Sequence, residues 1–151
     1  MNDAQVNIDE DLFYQQDNDA LYNEAASSCP TYFPGEGCAK PTSYINAFYD
    51  RFWSQYEDQV ADLEAIQDED AYQDAIYAFY QQHPGEFVTD YAATNPGEDI
   101  AESWTAFILQ TKPTGNSIAD QKVLFFYDYP ELVRLRGQIT SRTFSRLRAR
   151  P

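Results

Sequence analysis

Apolar residues recur at three- and four-residue intervals along much of the chain, and the segments between these runs are rich in Pro and Gly. Tyr44, Ile45, Phe48, Phe52, Trp53 and Tyr56 keep the helical period. Ser43 stands where an N-cap belongs, so the pattern predicts a helix from there to about Gln59. A second helix fits Glu69 to Gln82, with Tyr72, Ile76, Phe79 and Tyr80 on one side and a stop at His83-Pro84-Gly85. After a short extended piece, Glu86 to Tyr91, Asn95-Pro96 opens a third helix that runs to about Gln110. A fourth fits Ser117 to Tyr127. A fifth begins at Pro130 and carries an irregular apolar stripe, Leu132, Leu135, Ile139, Phe144 and Leu147, with fraying expected after about Arg142. Strand signals are nearly absent. The reading is mainly α: about five helices in one domain, with 44–148 the helical part and 1–43 an acidic, irregular region holding at most a short helix near Leu12 to Glu24.

Composition supports a packed core, since 151 residues suit one domain and the chain has 12 Tyr, 10 Phe and 2 Trp to bury. Charge is divided. Residues 1–133 hold 25 acids and 4 bases, and residues 134–151 hold 6 Arg and no acid. An acidic body of this kind repels phosphate, which argues against nucleic acid as a partner. The arginines are expected to pair with the chain's own acids. No apolar run is long enough to span a membrane.

Cys29 and Cys38 bracket a loop containing Pro30, Pro34, Gly35 and Gly37. A disulfide and two free thiols are both open. Compartment logic favours the disulfide, and eight intervening residues with a single His in the chain make poor zinc-finger spacing. Met1-Asn2-Asp3-Ala4-Gln5 has no secretory character. The two observations together predict an extracytoplasmic full-length protein that begins before Met1. Asp68-Glu69-Asp70 reads as a helix-start cluster rather than a calcium loop.

The chemistry concentrates between Phe87 and Trp104. Asn95 is a good N-cap, and Glu98 falls at N3, where a carboxylate can close a capping box while Glu102 lies solvated one turn later. A helical wheel offers another reading. At about 100° per residue, Glu98, Glu102 and Leu109 fall on one side, whereas Asp99, Ser103 and Gln110 form a polar stripe beside it. Two carboxylates on a partly apolar side repel each other unless a cation or proton relieves them.

Tyr91, Thr94, Asn95, Glu98, Ala101 and Glu102 stand in the order and spacing of the third-ligand helix of gluzincin metallopeptidases. The segment resembles in particular the secreted bacterial zinc-binding peptidases related to the catalytic lobe of anthrax lethal factor. Lys122 to Ile139 resembles their C-terminal helices more weakly. The resemblance implies zinc held by Glu98, a ligand histidine oriented by Glu102, and an oxyanion donor in Tyr91. Each role suits its residue type. The family also needs His-Glu-x-x-His on an earlier helix, and this sequence lacks it. His83, the only histidine, reads as a surface or capping residue.

Two expectations follow. One is the C-terminal portion of a zinc-dependent peptidase, inactive alone, its partners an upstream part of the same protein that supplies the His-Glu-x-x-His and a peptide or protein substrate. The other is a non-catalytic acidic helical module that binds a protein or envelope component.

Overall fold

The protein is described by a computed structural model covering the backbone of residues 18–148 and the side chains of residues 18–142. It is mainly α-helical, as the periodicity predicts, and no strand occurs among the described residues. Seven α-helices occur there rather than five: α1 (Asp19–Ser28), α2 (Tyr44–Phe52), α3 (Glu57–Glu64), α4 (Glu69–Gln82), α5 (Pro96–Leu109), α6 (Ile118–Phe125) and α7 (Pro130–Arg148). Contacts divide the chain between Glu57 and Asp58 into two compact units.

The first unit holds α1, the cysteine loop and α2. Asn18 caps α1, accepting from the Leu21 N–H, so part of the region expected to be irregular is helical; the predicted start near Leu12 lies outside the described residues. Cys29 and Cys38 are joined as a disulfide, their Cα atoms 5.6 Å apart. The enclosed loop turns through Gly35 and Gly37 at positive φ, a conformation that suits residues without Cβ. The buried Asn46 amide ties loop to helix: it accepts from the Tyr32 N–H at 3.1 Å and donates to Asp50 at 3.0 Å. Phe48, Phe52, Trp53 and Tyr56 form the core. The single helix expected to run to Gln59 is broken at Trp53, where a 3-10 turn (Ser54–Tyr56) tightens the chain before α3 restarts it.

In the second unit the predicted helix starts hold. Asp68 caps α4 by accepting from the Ala71 N–H at 2.9 Å, so the acidic run is a helix start. Gly85 turns the chain at φ 78°, and its carbonyl accepts from Ala119 N–H, tying the loop after α4 to the start of α6. Ser117 and Asp120 close a reciprocal capping box on α6. The stretch Glu86 to Tyr91, expected to be extended, is a series of bends leading into a 3-10 turn (Tyr91–Ala93). That turn, α6 and α7 pack on α5. Phe107 lies fully buried among Trp104, Phe126 and Tyr127. A third 3-10 turn (Phe126–Asp128) carries the last two into place.

One of the C-terminal arginines, expected to pair with acids, goes to backbone carbonyls. Arg136 of α7 donates to the carbonyls of Phe107 and Gln110, the latter at 2.7 Å. These are orphan acceptors at the C-terminal end of α5, where a cation is favoured. The α7 backbone stays helical to Arg148, past the point where fraying was expected. Phe144 and Leu147 of its stripe lie outside the described side chains.

Candidate functional site

The loop between α4 and α5 builds the site by local hydrogen bonding. Thr89 Oγ1 accepts from the Ala92 N–H at 3.0 Å, and Asp90 Oδ1 accepts from the Tyr91 N–H at 2.9 Å. Together they hold the 3-10 turn that presents Tyr91, which is 55% exposed. Asn95, in an extended conformation, caps α5 by accepting from the Glu98 N–H at 2.9 Å. The Glu98 carboxylate engages the Tyr91 hydroxyl. One turn on, Glu102 accepts from Thr89 Oγ1 at 3.1 Å, so a single threonine braces both the turn and the second carboxylate.

Glu98 and Glu102 therefore both act on Tyr91. The hydrogen bond to Glu98, then its charge, then slight desolvation and the charge of Glu102 push the Tyr91 hydroxyl above its ordinary pKa of 10.0. At neutral pH it is a protonated donor beside two carboxylates. Leu109, placed by the wheel on the same side as the glutamates, is 74% exposed, so that side is not the apolar one.

The buried side of α5 is the stripe that reads as polar. Asp99 and Ser103 are fully buried, and Lys122 from α6, also fully buried, reaches Asp99 with Nζ 2.6 Å from Oδ2. Ser103 Oγ donates to Asp99 at 3.4 Å, and the ammonium lies 3.8 Å from the Phe87 ring centroid. Burial lowers the Lys122 pKa, opposed by the Asp99 charge, its hydrogen bond and the charge of Glu86. This pair was missed by the sequence reading. Its only local signal was that Asp99 and Ser103 share an arc of the wheel with Ala106 and Phe107, both buried.

A zinc site needs more than these residues provide. Among the described residues no group of three or more His, Cys, Asp and Glu is placed to hold a metal ion. His83 ends α4 as its C-cap. Its ring packs on Phe79 and Phe87, and its nitrogens lie 3.4 Å from Glu86 Oε1 and Gln59 Oε1. It adds no imidazole to Glu98 in a ligand set, and one carboxylate does not fit zinc by itself.

Beside Tyr91 opens a cleft of about 200 Å³, lined by Gln73, Ile76 and Tyr77 of α4 and by Asp90, Tyr91 and Thr94. No described helix is long and apolar enough to cross a membrane. Comparison of the chain with protein-family models, curated proteins and solved structures finds no match.

Proposed function

We propose that residues 87–104 are the glutamate-bearing part of a zinc-dependent peptidase site whose histidines come from outside this chain, and that the full-length protein works outside the cytoplasm. The supporting observation is the convergence of Tyr91, Glu98 and Glu102, with Glu98 turned to the tyrosine rather than standing alone as a solvated cap. In this reading Glu98 would offer an oxygen to the metal, Glu102, steadied by Thr89, would orient a ligand histidine, and Tyr91 would supply an O–H where negative charge develops. Zinc, when bound, would activate water for peptide hydrolysis.

The test joins the chain to its upstream genomic sequence and measures bound metal. One zinc per chain, lost on Glu98→Ala, is the expected result. An upstream region without His-Glu-x-x-His, or zinc retained by Glu98→Ala, overturns the proposal. The 151-residue chain by itself is expected to hydrolyse no peptide, with or without added zinc. The incomplete ligand set favours a second reading, a non-catalytic acidic module that binds a protein or envelope partner. Under it Glu98→Ala leaves partner binding unchanged.

A further inference from the structure

The cleft beside Tyr91 has a composition that singles out one kind of occupant. Gln73, Ile76 and Tyr77 stand at i, i+3 and i+4 on α4 and so share one face of the helix. Ile76 is buried, while Tyr77 is 58% exposed and presents an aromatic ring to solvent. Across from them the 3-10 turn contributes Tyr91, with Asp90 before it and Thr94 after it. The Tyr91 hydroxyl is engaged by Glu98, and the Asp90 carboxylate is exposed with Oδ1 on the Tyr91 N–H. The volume is below the roughly 300 Å³ at which drug-sized ligands are held, so it suits a single side chain.

Charge decides which side chain. Residues 58–111, which include every lining residue, contain twelve Asp and Glu and no Lys or Arg. A cation entering the cleft meets two aromatic rings and a carboxylate, and no Lys or Arg from the elements that form it. Aromatic faces attract guanidinium and ammonium groups, Arg more often than Lys. We propose that this cleft binds the side chain of an arginine or lysine in a peptide, with Tyr77 and Tyr91 as walls and Asp90 as the counter-charge. The inference stands apart from the zinc reading, because it needs neither metal nor hydrolysis; in a peptidase the same cleft would select a basic residue near the scissile bond.

The experiment titrates the 151-residue chain with acetyl-Ala-Arg-Ala-amide, followed by backbone amide NMR shifts, and repeats it with the same peptide carrying citrulline, which keeps the shape and removes the charge. Saturable shifts at Gln73, Tyr77, Asp90 and Thr94 are expected, with the citrulline peptide at least about fivefold weaker. Tyr77→Ala is expected to weaken the arginine peptide about threefold. Asp90→Asn, which keeps the oxygen that accepts from Tyr91, is expected to weaken it by a similar factor. Equal binding of the two peptides overturns the proposal. So do shifts spread over the acidic surface without the cleft, or affinity indifferent to both substitutions. None of these outcomes bears on whether Glu98 binds zinc in a longer protein, so the two proposals fail separately.

Discussion

Glu98 and Asp99 are adjacent in the chain and carry the same charge, yet α5 delivers them to opposite surroundings. Glu98 leaves the helix beside an exposed tyrosine and a second carboxylate, where water screens its charge. Asp99 turns inward, fully buried, against the ammonium of Lys122. A rotation of about 100° between successive residues is enough to separate the two environments. A carboxylate at the surface and one in the core are thus not distinguished by residue type or by position along the helix. They differ in what another element brings against them.

The contrast predicts a graded set of responses, the largest on the buried side. Lys122→Met leaves Asp99 with an uncompensated buried charge and is expected to cost about 3–5 kcal/mol in denaturant unfolding. Adding Asp99→Leu is expected to recover most of that loss, because an apolar pair of similar volume avoids desolvating charge. A single variant that costs less than about 1 kcal/mol would mean that the pair does not anchor α5 to α6.

Next in size is Asn95→Ala, which removes the cap that both residues follow and is expected to cost about 1 kcal/mol in the same measurement. Ser103→Ala withdraws one long hydrogen bond from Asp99 and should cost about 0.5–1 kcal/mol, with the loss abolished in the background that already lacks Asp99 and Lys122.

The smallest stability effect belongs to the outer side. Glu98→Gln is expected to change unfolding by less than about 0.5 kcal/mol while moving the Tyr91 hydroxyl pKa down toward its ordinary 10.0. Tyrosine absorbance during alkaline titration, with Tyr91→Phe as the reference, reads that shift. The sign follows from linkage. A hydroxyl with a raised folded-state pKa holds its proton in the folded protein after the unfolded chain has lost it. Its contribution to stability is therefore full below about pH 10 and is lost as pH climbs through the raised value. Glu98→Gln narrows that window, and an unchanged Tyr91 titration would show that the two groups do not interact.

Much of the fold was legible because helix signals are local. Asp68, Asn95 and Ser117 cap the helices whose starts they predicted, and the stop at His83-Pro84-Gly85 lies where Gly85 adopts positive φ. The break at Trp53 was not legible, because the residues that follow continue the apolar period and only packing decides that the chain tightens into a 3-10 turn. That Glu98 and Glu102 lie one turn apart was legible as spacing, whereas Tyr91 joined them only through the resemblance. The part played by Thr89, which braces turn and carboxylate at once, was not, since a threonine in a loop carries no periodic signal.

By itself the sequence determined the helical class, most helix starts, the acidic body and the placing of Glu98 and Glu102 one turn apart. Each of these depends on neighbours within a few residues. Tertiary structure alone decided which side of α5 is interior, because that choice is made by Lys122, 23 positions beyond Asp99, and by Phe87, 12 before it. It also decided where Arg136 goes, sending it to the open carbonyls at the end of α5. A helical wheel shows which residues lie side by side; the charge that faces them comes from elsewhere in the chain and is set only when the helices pack.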